Sequence, residues 1–332
     1  MKAEVLRAPD DVESNPLVLT DLPRPTPAAG EILVKVRVCG VCHTDLHVVE
    51  GELPNPALPI IPGHEIVGTV AENGMGTGRF PPGARVGIPW LHQTCGVCEY
   101  CRRGQENLCE YARFTGYTAQ GGYAEYTTVP EQFAVPLPDQ FSDVEAAPLL
   151  CAGIVGYRSI RLSDLQRGER LGLYGYGGSA DICIQVARHW GCEVYVFTRS
   201  TEHQRLARER GAVWTGETQD EPPVRLDRAI IFAPAGWIVP IALGHLRKGG
   251  TLCINAIHTS PIPEMPYRLL WSERTIRTVA NATRRDAEEF LPLAAEIPIR
   301  TAAQTFRLEE ANRALQLLKA RKINGAAVLQ IA

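Results

Sequence analysis

Four cysteines within fifteen residues, Cys95, Cys98, Cys101 and Cys109, are the densest concentration of chemistry in the chain. Thiols spaced Cys-x2-Cys-x2-Cys-x7-Cys in a loop converge on one ion, and tetrahedral zinc is its natural occupant. A site closed by four protein sulfurs has no position left for substrate, so these residues pin a loop and perform no reaction. The same spacing also suits an iron-sulfur cluster, or buried and redox-active thiols with no ion. A second, looser set is Cys42 in Gly40-Val-Cys-His-Thr-Asp-Leu-His47, His64 in Pro62-Gly-His-Glu65, and Cys151 in Pro148-Leu-Leu-Cys-Ala-Gly-Ile-Val-Gly156. Two thiolates and an imidazole with a fourth position open is the arrangement of catalytic zinc, which polarises a substrate oxygen. Spacing alone leaves each of these three readable as an ordinary packed residue, His64 above all.

A third feature is the run Leu171-Gly-Leu-Tyr-Gly175-Tyr-Gly177-Gly178-Ser-Ala180, a strand passing through G-x-G-x-x-A into a helical period. Gly175 permits the tight turn and Gly177, beside Gly178, lets the backbone approach a pyrophosphate. Ala180 stands where a third glycine packs helix on strand. The helix N-terminus then turns free N–H groups to the phosphates. About twenty residues on, an acid holds the ribose hydroxyls of NAD in such folds. Here the chain reads Val196-Phe-Thr198-Arg199-Ser200. Arg199 suits a 2′-phosphate, with Thr198 and Ser200 donating hydrogen bonds, so NADP is expected over NAD; the alternative is that Arg199 is a solvated surface charge.

The elements that must carry these residues fall into two textures. Over residues 1–150, short alternating segments such as Glu31-Ile-Leu-Val-Lys-Val-Arg-Val38 and Ile66-Val-Gly-Thr-Val70 lie between proline and glycine clusters, which predicts a small β-barrel or sandwich. From about Gly168 strands alternate with helices: strands at 170–174, 193–197, 227–232 and 251–257, helices at 180–190, 202–210 and 238–247. That alternation predicts a doubly wound parallel sheet. A strand at 275–280, a helix at 287–295, a strand near Thr305, a helix at 308–320 and a strand at 326–331 complete the chain. This tail does not extend the α/β repeat. At 332 residues two domains are expected.

Charge and hydropathy exclude other classes. The net charge is −3 and no long Lys/Arg run occurs, which speaks against nucleic acid as a partner. No stretch has the apolar length of a membrane span, and Met1 to Pro9 lacks a signal-peptide core. Ten cysteines clustered at metal spacing imply thiolate ligands in a reducing compartment, so the cytoplasm is expected. Cys39, Cys183, Cys192 and Cys253 lie in or beside apolar runs and read as inert core residues.

Cys42-His-Thr-Asp-Leu-His47, Gly63-His-Glu65, the four-cysteine loop, Gly121-Gly-Tyr-Ala-Glu-Tyr126 and Cys151-Ala-Gly-Ile154 together resemble the zinc-dependent alcohol dehydrogenases of the medium-chain dehydrogenase/reductase superfamily, nearly end to end and in family order. The resemblance implies a GroES-like β-barrel catalytic domain of residues 1–150 and 285–332, with two zinc sites, and a Rossmann coenzyme domain of residues 151–284. It implies Cys42, His64 and Cys151 as ligands of a catalytic zinc, Glu65 as an exchange ligand or neighbour of that metal, and Asp45 as the residue that orients His64. By the same resemblance Thr44 and His47 form the proton relay, His43 lies near the cofactor pyrophosphate, and Trp90 walls the substrate pocket, with core packing its rival role. One departure stands out: family members often carry Gly-Arg near the last strand, whereas Gly325 is followed by Ala326. The implied activity is reversible hydride transfer between a primary or secondary alcohol and NAD(P), in a homo-oligomer, dimer or tetramer, with two zinc ions per chain. A one-zinc variant, a polyol or sugar-alcohol dehydrogenase and a non-catalytic nucleotide-binding redox sensor are the alternatives.

Overall fold

The computed structural model describes residues 1–331, which divide into two compact units. The first comprises Met1–Cys151, Thr283–Ala295 and Arg300 onward; the second comprises Ala152–Ala282 with Glu296–Ile299.

In the first unit the long strand Glu31–Val41 is the spine of a seven-stranded sheet. Its alternation is read directly in its burial: Lys35 and Arg37 face out while Ile32, Val34, Val36 and Val38 face in. Each such apolar side chain contributes about 1.5–3 kcal/mol on burial. Antiparallel partners flank the spine: Glu65–Asn73 on one side, with Gly40 opposite Glu65, and Ala326–Gln330 on the other, with Ala327 opposite Val41. The strand Tyr126–Pro130 pairs with its first half. The C-terminal strand is thus part of the same sheet that delivers Cys42, and the start of strand Glu65–Asn73 delivers His64 and Glu65. Leu91–Gln93 and Arg113–Phe114 form a separate two-stranded ladder that brackets the cysteine loop.

The second unit is a six-stranded, wholly parallel sheet in the order Trp214–Gly216, Glu193–Phe197, Arg170–Tyr174, Leu226–Ile231, Leu246–Ile254, Thr275–Thr278. The order reverses at the strand Arg170–Tyr174, which leads into the glycine turn, as in dinucleotide-binding folds. Its inner strands are apolar along their length because parallel sheets are covered on both faces.

Several elements differ from the sequence reading. A twelve-residue helix, Ala152–Ser163, and the short strand Trp214–Gly216 are additional. The helix expected at 287 begins at Arg284, because Thr283 and Asp286 cap each other: Thr283 N donates to Asp286 Oδ2 at 2.8 Å and Asp286 N to Thr283 Oγ1 at 3.3 Å. The helix expected at 308–320 opens as a 3-10 turn, Leu308–Glu310, before Ala311–Lys319. Cys39, Cys183, Cys192 and Cys253 are buried. Among the described residues no helix is long and apolar enough to cross a membrane.

Candidate active site

Cys42 is the last residue before the helix His43–Val49 and caps it: Thr44 N donates to Cys42 Sγ at 3.3 Å, while Cys42 N donates to Asp45 Oδ2 at 3.0 Å. The same carboxylate, fully buried, accepts from His64 Nδ1 at 2.8 Å and from Gly63 N at 3.2 Å. Asp45 therefore fixes the orientation of His64, whose Nε2 lies 3.3 Å from Cys42 Sγ. Cys151 Sγ lies 4.0 Å from Cys42 Sγ, and with Glu65 these residues place four ligand atoms within 4.8 Å of one another. Glu65 is packed over Gly40 so closely that a Cβ at position 40 would lie 1.9 Å from Glu65 Oε2.

The electrostatics of this cluster follow from crowding acidic groups without water. The bond from Cys151 and the charge of His64 hold the Cys42 thiol well below its ordinary pKa, and the same bond pushes Cys151 well above it. Burial opposes a charge on His64, yet the charges of Asp45 and Cys42 hold its pKa well above the ordinary value. Burial, then the charge of Cys42, raises Glu65. A divalent cation between the same sulfurs and nitrogen would supply the positive charge that this crowd of acidic groups calls for. Two thiols and one imidazole nitrogen are a zinc donor set with a fourth position open, which a substrate oxygen or, in exchange, the Glu65 carboxylate could take.

The four cysteines of the loop also converge. Cys95 Sγ lies 4.0 Å from Cys101 Sγ, Cys98 N donates to Cys95 Sγ at 3.3 Å and Cys95 N to Cys109 Sγ at 3.5 Å, with all four sulfurs within 4.8 Å of one another. Backbone N–H groups of Val97 and Cys98 bring the Cys95 thiol down to about 6. Gly96 and Gly104 take positive φ, 71° and 69°, where the loop reverses between ligands. The donors match a closed site for one tetrahedral ion.

Thr44 and His47 lie three residues apart on one helix and so share a face. His47 Nδ1 pairs with Glu52, a residue outside every motif legible in the sequence. His43 opens the helix and is exposed. Trp90 meets the His64 ring edge-on, centroids 4.9 Å apart at 76°, and stacks on Phe114 at 5.2 Å and Tyr117 at 5.8 Å. Phe114 and Tyr117 are only 6.5 Å from each other. The three rings therefore form one aromatic cluster beside His64. Trp90 also packs against the core, the rival role weighed for it.

In the second unit the glycine turn has the geometry its sequence requires. Gly175 has φ 88°, and a Cβ there would lie 3.0 Å from Ala233 N; Gly177 precedes the helix Gly178–His189, and Ala180 is fully buried against the sheet. Tyr176 donates to Asp181, which also receives two bonds from Arg210 at 2.9 and 3.0 Å, tying the turn to the following helix. After the second strand, Thr198 Oγ1 accepts from Ser200 N at 3.5 Å and Ser200 Oγ caps the next helix by accepting from His203 N at 3.2 Å. These hydroxyls hold the loop. Arg199 is exposed and makes no ion pair among the described residues.

A barrel-type sheet carrying a Cys/His/Cys donor set and a four-cysteine loop, with a doubly wound sheet carrying a dinucleotide turn, defines a zinc-type medium-chain dehydrogenase. Residues 28–139 match the family described as alcohol dehydrogenase GroES-like domain. The chain is 51% identical over 339 residues to the probable alcohol dehydrogenase AdhA of Mycobacterium tuberculosis, covering 100% of this chain and 97% of the relative. Among solved structures it resembles the cinnamyl alcohol dehydrogenase of Sorghum bicolor (26% identity, TM-score 0.89, 99% and 97% of the two chains). It also resembles the cobalt- and zinc-bound alcohol dehydrogenase of Pyrobaculum aerophilum (25%, 0.89, 99% and 99%). The chain belongs to the zinc-type alcohol dehydrogenase family of the medium-chain dehydrogenase/reductase superfamily. It is an oxidoreductase that uses NAD(P) and acts on small alcohols and carbonyl compounds.

Proposed function

We propose that the chain is an NADP-preferring alcohol dehydrogenase and aldehyde reductase whose catalytic zinc is held by Cys42, His64 and Cys151, with Glu65 as exchange ligand. A second, structural zinc is held by Cys95, Cys98, Cys101 and Cys109. The observation that carries this reading is the convergence of the Cys42, His64, Glu65 and Cys151 ligand atoms within 4.8 Å, with the far nitrogen of His64 already committed to Asp45. Residues 1–150 and 285–332 are the catalytic domain, and 151–284 are the dinucleotide-binding domain.

When bound, zinc supplies a Lewis acid for the substrate oxygen and NAD(P) supplies or accepts the hydride. The chain's own residues do the rest. Asp45 keeps the His64 proton on Nδ1 so that Nε2 remains a donor atom. Thr44 presents its hydroxyl to the substrate oxygen. On oxidation the hydroxyl proton leaves through Thr44 towards His47, whose ring Glu52 holds in place, and reduction runs the proton the other way. Gly175, Gly177, Gly178 and Ala180 form the pyrophosphate side of the dinucleotide turn.

The stacked rings of Trp90, Phe114 and Tyr117 beside His64 favour a flat, apolar substrate, as in the cinnamyl alcohol dehydrogenase it resembles, over a polyol that needs several polar partners. Thr198 in place of an acid and the unpaired Arg199 favour the 2′-phosphate of NADP. The exposed edge strand Thr275–Thr278, flanked by Tyr267 and Trp271 at 69% and 71% exposure, supports a homo-oligomer, dimer or tetramer. Ten unpaired cysteines suit the cytoplasm.

Initial rates of benzaldehyde reduction by zinc-replete protein with NADPH and with NADH test the reading. Faster turnover with NADPH, reversed in Arg199→Asp, is expected. An unchanged cofactor preference in that variant removes the cofactor assignment, and no turnover with either cofactor on any flat aldehyde removes the substrate assignment.

A further inference from the structure

Tyr123 is one of the largest fully buried side chains in the molecule, and its hydroxyl has no hydrogen-bond partner within the protein. Phenylalanine would fill the same space at no polar cost, so a buried phenol oxygen calls for a partner. The residue has no freedom to turn it elsewhere. Its backbone N donates to Pro62 O at 3.0 Å and its carbonyl accepts from Glu4 N at 2.9 Å. Its ring lies so close over Gly63 that a Cβ there would be 2.3 Å from ring atom Cδ1, and Gly63 itself has φ 95°. Gly63 is the residue before His64, and its N–H is one of the donors to Asp45.

Gly63 links the ring to Asp45, since the ring packs on Gly63 and the Gly63 N–H donates to the Asp45 carboxylate at 3.2 Å. Burial, then the negative charge of Asp45, pushes the phenol well above its ordinary pKa, with Cys39, Cys42 and Glu65 acting in the same sense. The hydroxyl therefore stays protonated and is a donor. Asp45 has about four lone-pair sites. Three are taken, by His64 Nδ1, Gly63 N and Cys42 N, and one remains.

We infer that Tyr123 is a positioning residue of the Cys42/His64/Cys151 site, its hydroxyl donating through one buried water to the fourth acceptor position of Asp45. The inference rests on the zinc reading of that site. Groups behind a ligand's partner set its orientation and basicity, so loss of this oxygen loosens the site without touching a ligand.

Tyr123→Phe removes the oxygen and keeps the ring, and the readouts are zinc release to a chromogenic chelator, the absorption spectrum of the cobalt-substituted enzyme, and the denaturation midpoint. The expected result is release of one of the two zinc ions about 10-fold faster or more, a shifted cobalt spectrum, and a midpoint no higher than wild type. Unchanged release and spectrum with a raised midpoint would overturn the inference, since deleting a merely unpaired buried hydroxyl relieves the fold. Failure of the underlying zinc reading is seen separately, in the wild-type protein: a single zinc, bound only by the cysteine loop, would overturn both.

Discussion

Replacing Asp45 by asparagine takes one acceptor away from a point where three donors meet. The carboxylate receives His64 Nδ1 at 2.8 Å and Gly63 N at 3.2 Å on one oxygen and Cys42 N at 3.0 Å on the other, with Asp45 and His64 both at zero exposure. Asparagine is nearly the same shape but offers only one oxygen. If that oxygen faces His64, the amide NH2 faces the Cys42 N–H and neither is paired. If it faces Cys42, the NH2 faces Nδ1 and drives the His64 proton to Nε2, the nitrogen 3.3 Å from Cys42 Sγ. Either way at least one charge-assisted bond is lost, about 1.5–3 kcal/mol. At 1.36 kcal/mol per tenfold this is roughly a 10- to 100-fold loss of zinc affinity at the open site. Competition titration of zinc-replete wild type and Asp45→Asn against a chromogenic chelator measures it. The cysteine-loop zinc, which Asp45 does not touch, serves as internal reference. An open-site affinity within about twofold of wild type would refute the view that Asp45 holds the histidine in its ligand state.

Two further outcomes follow from contacts outside the site. Arg284 donates to Glu106 through its backbone N at 2.9 Å, Nε at 3.0 Å and an η nitrogen at 2.7 Å, and Glu106 lies between Cys101 and Cys109. Arg284→Ala should cost about 2 kcal/mol in denaturant unfolding, between the values for exposed and buried pairs, and should speed thiol labelling of the cysteine loop; unchanged labelling would show that the loop does not depend on this clamp. Glu4 is buried with one carboxylate oxygen unpaired, and burial followed by the charge of Glu309 raises its pKa from 4.5 to about 7. Between those values the folded chain holds a proton that the unfolded chain has lost, so stability falls as pH rises through this window and levels above it. Glu4→Gln should flatten the fall by about 1–3 kcal/mol; identical pH profiles of the two proteins would contradict this.

The parts of this molecule that were legible in the sequence are those whose signals are local. The strands around the glycine turn announce themselves by apolar runs bounded by Gly and charge, and Arg170–Tyr174 and Glu193–Phe197 lie where the pattern puts them. Helix Ala152–Ser163 was hidden because Gly153 and Gly156, poor helix formers, sit in its first turns, where tertiary packing overrides propensity. The strand Trp214–Gly216 is three residues long and has no periodicity to read. The Thr283–Asp286 cap was written in the sequence as a Thr three residues before an acid and marks where its helix starts. The candidate ligands were visible as residue types, but what surrounds them was not. Glu106 meets Arg284 across 178 residues, and the rings of Trp90 and Tyr117 stack from different ends of the cysteine loop. Tyr123 was visible only as a member of the Gly121–Tyr126 motif, since burial alone distinguishes an orphaned hydroxyl from an ordinary one.

Two separate donor sets holding two ions with different duties would be seen in metal analysis of wild type, Cys42→Ser and Cys95→Ser, with turnover measured on the same samples. The prediction is about two zinc ions per chain in wild type. Cys42→Ser should keep about one and lose turnover by a factor of roughly 1,000 or more, while remaining folded. Cys95→Ser should lose the other ion and melt earlier. Full turnover in Cys42→Ser, or a wild-type protein that turns over with a single ion bound by the cysteine loop, would contradict it.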